Sequence, residues 1–258
     1  MLWSKIKTII LVLLLIVNAA LLGLVGWQAL RSSAMTAETR QRMVTILNGN
    51  GIAYLPEQVP GEMPLTPVRV AVVPPGENEA GLLLGEIQDV ASVGARTTYT
   101  GQRGAAEFSD SGELRAAFPA EDLDQVLTLL SSVGVELSPL GEEGYAQLWQ
   151  GRPVLGRPVG LTQAEGVWQV SLRRLAGEAE PLAPERRAMN AVTTLTRFLE
   201  ALNRGGYVCR EIRALYPAWM ASGTLTVTLT PCWCVETDAW PWRYAVDAYT
   251  GAVTAGVQ

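Results

Sequence analysis

The segment TLTVTLTPCWCVE, residues 224–236, decides how the folded part of this chain is built. Leu225, Val227, Leu229, Trp233 and Val235 share one side and Thr224, Thr226 and Thr228 the other, the two-residue period of a strand with one apolar and one polar face. Pro231 has no N–H to give a ladder, so an edge or a bulge is expected there. Downstream, WRYAVDAYTG at 242–251 puts Trp242, Tyr244 and Val246 on one face and ends in a turn at Tyr249-Thr250-Gly251. Upstream, YVCREIRALY at 207–216 reads as a further strand.

Before these strands lies the strongest helical pattern of the chain, predicted from Pro184 to about Asn203. Met189, Val192, Leu195, Phe198, Leu199 and Leu202 form its apolar stripe, and Gly205-Gly206 close it. Further back, QGRPVLGRPVGLTQ and GVWQVSLRRL read as two strands meeting at the Ala164-Glu165-Gly166 turn, preceded by a short helix in EEGYAQLW at 142–149. The first half has the same order of helix before strands. A helix is predicted from Thr36, its N-cap, to Asn48, with Met43, Val44 and Leu47 on one side. Strands are expected in PVRVAVVPPG at 67–76 and GLLLGEI at 81–87, a hairpin across SDSG in AAEFSDSGELRAAF at 105–118, and a helix over Glu121–Ser132 stopped by Gly134. The fold class is therefore α+β, with helices packed on curved antiparallel sheets, in an N-terminal subdomain at 29–140 and a C-terminal one at 141–258.

Ahead of both stands the uncharged run TIILVLLLIVNAALLGLVGWQAL, residues 8–30. About 20 helical residues rise roughly 30 Å, the thickness of a bilayer's hydrocarbon, so residues 8–28 are expected to span a membrane. Lys5, Lys7 and the terminal amine favour a cytoplasmic tail at 1–7 and an extracellular body. Ser32-Ser33-Ala34 offers a signal-peptidase motif before Met35, but the apolar run is longer than the roughly 7–15 residues of a signal sequence. Within the span, Asn18, Ala19 and Gly23 combine an amide with a small-x-x-x-small pair, the pattern that lets a second membrane helix approach.

Composition narrows the chemistry. Lys5 and Lys7 are the only lysines, and the chain after Lys7 carries 18 basic against 25 acidic residues, a net charge of −7 with no basic block, which speaks against nucleic acid as a partner. There is no His, which removes every imidazole-dependent acid–base, nucleophilic and mixed zinc scheme. GRPVLGRPVG at 151–160 repeats glycine in neither phosphate-loop nor dinucleotide order. A non-enzymatic protein without cofactor or metal is expected. Cys232 and Cys234, two apart on a strand, are roughly 6.5–7 Å apart at Cα, too far for an unstrained bridge. Either Cys209 pairs with one of them or all three are buried free thiols. Trp219, Trp233 and Trp242 read as core side chains in preference to a ligand-stacking set.

The opening MLWSKIKTIILVLLLIVNAALL resembles the start of YycI-like proteins, in which a short Trp-Ser-(Lys/Arg)-Ile-Lys stretch runs into one membrane helix. The segment GRPV at 151–154, the helix before Gly205-Gly206, and LTPCWCVETD followed by WRYAVDAYTG are similar to that family's soluble part. The likeness covers residues 1–25 and 145–251 well and 36–140 thinly; Cys232-Trp233-Cys234 and the lysine-poor body depart from it. The resemblance implies tandem PepSY-like or YycH-like α+β units outside the cell membrane. It implies a non-catalytic regulator that works with a YycH-like protein on the cell-wall sensor histidine kinase of the YycFG (WalRK) two-component system. Through it, Asn18, Ala19 and Gly23 are expected to contact the kinase in the membrane. The alternative expectation is an envelope ligand-binding or enzyme-inhibitor module of PepSY-like fold.

Overall fold

A computed structural model describes residues 37–141, 144–184 and 186–257, in two compact units that divide the chain between Val59 and Pro60. The expected tail at 1–7, the span at 8–28 with Asn18, Ala19 and Gly23, and the Thr36 cap lie outside the described residues. Among the described residues no helix is long and apolar enough to cross a membrane.

The first unit holds helix α1 (37–49), which buries Met43, Val44 and Leu47 as its periodicity predicts. Asn50 closes it by giving both its backbone N–H (3.1 Å) and its side-chain amide (2.8 Å) to the Ile46 carbonyl. A 3-10 turn at Pro56–Gln58 follows, where Tyr54 donates its hydroxyl to the Gln58 carbonyl at 2.8 Å.

The second unit is α+β. Its elements are β1 (Val68–Ala71), α2 (Glu77–Leu84), β2 (Ile87–Val93), β3 (Arg96–Gly101), β4 (Gly104–Ser109), β5 (Glu113–Pro119), α3 (Leu123–Ser132), β6 (Leu137–Pro139) and β7 (Tyr145–Trp149). They continue with β8 (Arg152–Leu155), β9 (Gly160–Ala164), β10 (Val167–Arg173), β11 (Ala179–Pro181), α4 (Ala191–Gly205), β12 (Ile212–Ser222), β13 (Thr226–Thr237), β14 (Arg243–Asp247) and β15 (Val253–Ala255). One sheet runs β2-β3-β4-β5-β10-β9 and is wholly antiparallel; the other runs β11-β1-β13-β12-β8-β7-β6, with β14 and β15 attached through β13. The larger sheet is mixed, because β8 joins β12 in parallel, Trp219 opposite Val154. The all-antiparallel expectation is corrected there. Nor does residue 140 separate the sheets: β1 pairs with β11 and β13, and β5 pairs with β10.

Strand β13, which takes up most of residues 224–236, is central to the larger sheet. β13 keeps β12 along one edge from Thr228 to Thr237, while on its other edge β1 pairs with 226–229 and β14 with 232–236. Pro231 sits between these two partners, where a missing N–H interrupts neither ladder. Val227, Leu229, Trp233 and Val235 are buried as predicted, but Leu225 lies before the strand and is exposed. On the opposite face the threonines give way to buried Cys232 and Cys234, so the last third of β13 is covered on both sides.

Three local expectations are corrected. Residues 81–84 of GLLLGEI belong to helix α2, with Glu77 and Glu79 in its first turn and Gly85 at φ 78° ending it; a short apolar run does not by its period distinguish strand from helix. Its Ala80, Leu83 and Leu84 join Val126 and Leu130 of α3 on Tyr99, Phe108, Leu114, Phe118 and Val170 of the six-stranded sheet. The helix expected at 142–149 is strand β7, whose buried Gln147 pairs its amide with the backbone of Leu175 at 3.1 and 3.3 Å. Helix α4 begins at Ala191 and not at Pro184. Asn190 caps it by accepting the Thr193 N–H at 2.9 Å, and Met189 is already committed, its N–H to the Ala248 carbonyl and its carbonyl to Trp233.

Candidate functional site

Of the two alternatives left open for the cysteines, the structure has the buried free thiols, with no bond from Cys209 to Cys232 or Cys234. The strand register gives the reason. Cys232 and Cys234 pack with Ala218, Ala245 and Leu155, whereas Tyr244 stands opposite Val235 and shares that residue's face, away from Cys234. Tyr244 meets Phe198 of α4 edge-on at 5.1 Å, and it is beside Tyr244 and Asp238 that Cys209 lies, giving its S–H to the Glu211 carbonyl. The thiols therefore occupy the two sides of one sheet. Burial pushes Cys209 up to about 11, with Asp238 adding to it, and Cys234 up to about 12; burial raises Cys232 well above its ordinary value. Since the thiolate is the nucleophile, alkylation of the native protein at pH 8 is expected to be about 100-fold or more slower than after unfolding, when all three react. Labelling followed by mass spectrometry checks this, and prompt modification of any one thiol in the native state would contradict it.

The six-stranded sheet offers a different surface. Helices α2 and α3 cover one face; on the other a shallow cavity of about 400 Å³ is lined by small and polar side chains, among them Thr98, Ala105, Ala117, Thr162, Gln169 and Ser171. Ala117, Thr162, Gln169 and Ser171 are exposed. The face owes part of its shape to Gly104, at φ 139°, where a Cβ would be driven into the Ala117 carbonyl.

Beside it, where the β12–β13 turn approaches the ends of β5 and β10, lies a cavity of about 430 Å³. Gly156-Arg157-Pro158, the link that carries the chain from β8 in one sheet to β9 in the other, contributes to it together with Glu113, Arg115, Arg173 and Gly223. The tripeptide Gly-Arg-Pro occurs twice, five residues apart, with opposite fates: Arg152 is exposed, Arg157 only 6% so. Arg157 donates from Nη2 to the Gly223 carbonyl at 3.1 Å, and its Nη1 is shut from solvent without a partner. Burial, and then the charge of Arg173, push its pKa down to about 10, which leaves it charged at neutral pH. Among the described residues no carboxylate forms an ion pair with Arg115, Arg157 or Arg173; Glu113 instead approaches Arg96 at 3.9 Å.

The tryptophans divide. Trp219 and Trp233 are core residues with satisfied indoles, donating to the Trp149 carbonyl at 3.0 Å and the Met189 carbonyl at 2.9 Å. Trp242, expected inside, is 42% exposed beside the more open Trp240. Its φ of 57° turns it out of the β14 alternation that Tyr244 and Val246 obey. Among the described residues no group of three His, Cys, Asp or Glu side chains converges as a metal site. Sequence reasoning passed over both Arg157 and the open sheet face: the only local signal for Arg157 was the repeated Gly-Arg-Pro, which says nothing of burial.

No protein-family model matches the chain, and no curated protein does. Among solved structures, it is similar to the crystal structure of an uncharacterized protein from Eubacterium rectale ATCC 33656 at 1.45 Å resolution. The TM-score is 0.45 and the identity 10%, over 74% of this chain and 86% of that one.

Proposed function

We propose that this protein is a membrane-anchored extracytoplasmic regulator that modulates a cell-wall sensor histidine kinase by contact, with a YycH-like protein as a further partner. The reading is supported by the apolar run at 8–28, by the resemblance of residues 1–25 and 145–251 to YycI-like proteins, and by the form of the six-stranded sheet. The observation that carries it is the open face of that sheet. A sheet whose second face is lined by Ala105, Ala117, Thr162 and Ser171, with exposed Val90 and Val93 on the edge strand β2, presents a broad, shallow surface suited to another protein. Contact shifts a kinase between states only if the two states bind the regulator unequally. The cytoplasmic tail at 1–7 and the helix carrying Asn18, Ala19 and Gly23 place the regulator beside the kinase's own membrane helices in this reading.

Two variants test it. Asn18→Leu combined with Gly23→Leu is expected to reduce recovery of the kinase with this protein from solubilised membranes, and so is Ala117→Arg on the open face. Neither should change the melting of the folded body, since Ala117 is exposed and the other two lie in the apolar run. Unaltered kinase recovery with both variants would reject the contact mechanism. The cavity beside Arg157 favours the second reading, an envelope ligand-binding module, and is compatible with the first if ligand and kinase are sensed by the same body.

A further inference from the structure

Among the described residues two arginines are buried, and they are treated oppositely. Arg174, 5% exposed, has an acceptor for each terminal nitrogen group: Nε to the Val133 carbonyl at 2.9 Å, Nη1 to the Val73 carbonyl at 3.2 Å and Nη2 to Glu79 at 3.3 Å. Arg157 is buried almost as deeply and has one acceptor, the carbonyl of an exposed glycine. Among the described residues, the buried side-chain nitrogens and oxygens without a partner are the indole nitrogens of Trp149 and Trp168 and Nη1 of Arg157, so Arg157 is the charged member of that set. Burying a guanidinium without a counter-charge costs several kcal/mol, more than the single bond to Gly223 returns. Arg173 lies close enough to raise that cost, and both line a cavity large enough for a small molecule. Glu113 also lines this cavity, opposite Arg173 across the β5–β10 pair, with its carboxylate 3.9 Å from Arg96. Three arginines thus stand against one carboxylate on a chain whose net charge is −5, a local positive excess and not a property of the whole surface.

We propose that this cavity binds an oxyanion, the phosphoryl or carboxylate group of a small ligand, held by Arg157 and Arg173 with Arg115 at the rim. Guanidinium groups recognise planar or tetrahedral oxyanions through paired charge-assisted hydrogen bonds, and a buried one already desolvated pays less of the cost of doing so. The β8–β9 link couples the cavity to both sheets, so occupancy braces the junction between them. The ligand's charge supplies the counter-charge that the buried guanidinium lacks, although Nη1 itself is sealed from solvent. The inference is independent of the regulator reading, since it would survive normal kinase recovery in the variants above and equally their loss of it.

Thermal unfolding of the full chain in detergent, followed by circular dichroism in sodium phosphate, sodium acetate and sodium chloride at equal ionic strength, tests it. Phosphate or acetate is expected to raise Tm saturably above chloride, by about 5–10 °C at a hundred times the dissociation constant. A response to phosphate alone assigns a phosphoryl ligand, and a response to both assigns a site that reads any oxyanion. Arg157→Met is expected to abolish the response while melting no lower than wild type in chloride, because it removes a buried unpaired charge whose glycine carbonyl water can serve. Arg173→Gln, at a half-buried position, is expected to raise the half-saturating concentration about tenfold or more, and decides the matter should Arg157→Met not fold. Phosphate and acetate curves that coincide with chloride, or a wild-type response in both variants, would overturn the proposal.

Discussion

Replacing Trp233 with alanine is expected to destabilise the folded body by about 3–5 kcal/mol, the range for emptying a fully buried aromatic site. The indole is 0% exposed, and its N–H also secures the Met189 carbonyl at 2.9 Å. The two effects are separable. Trp233→Phe keeps most of the ring volume and loses only the donor, so it should cost about 1–3 kcal/mol. Urea unfolding followed by circular dichroism measures both, with the midpoint moving and the slope unchanged if only native-state contacts are lost. There is also a local consequence. Met189 is pinned between Ala248 and Trp233 immediately before Asn190 caps α4, so both variants should loosen the exposed segment carrying Arg186 and Arg187. Trypsin should then cut there faster than in the wild type, and equal cutting rates would show that Trp233 does not set the start of this helix.

That coupling explains what could and could not be read from residue order. The apolar period of α4 was legible from Leu195, Phe198 and Leu202, because a helix packed on one sheet writes its buried stripe into the sequence. Its first turn was not. Pro184 is a good helix opener locally, and what overrides it is a hydrogen bond from a tryptophan far along the chain. The hairpins β4–β5 and β9–β10 were legible because each closes on its own turn. Helix α2 and strand β7 were misread because both are short and apolar, and only the partner surface decides between the two periods. The β2–β3 hairpin had no reading at all, since six of the seven residues of β2 are exposed and no apolar face is imposed on them. The candidate sites depend on tertiary placement still more. Nothing in Gly151-Arg152-Pro153 and Gly156-Arg157-Pro158 distinguishes the arginine that meets water from the one carried inside between two sheets.

Arg174→Ala is expected to cost about 3–5 kcal/mol, comparable with the tryptophan change but for a different reason. This side chain is 6% exposed and ties three separate places together: the turn after α3 through Val133, the chain leaving β1 through Val73, and α2 through Glu79. Its own N–H goes to the Gly112 carbonyl at 2.7 Å. Removing the guanidinium strands two carbonyls and opens space that neighbouring side chains are too constrained to fill. Lysine will not repair it, because an ammonium is a single point on a flexible stem and cannot reach three divergent acceptors, so Arg174→Lys should recover less than half of the loss. The contact with Glu79 is the minor part. That carboxylate is about half exposed, where an ion pair is screened, and Glu79→Gln should cost no more than about 1 kcal/mol. The ordering Arg174→Ala, then Arg174→Lys, then Glu79→Gln, measured by urea midpoints on one protein preparation, separates the two accounts. If Glu79→Gln proved as damaging as Arg174→Ala, the ion pair would be the essential contact and the backbone carbonyls incidental.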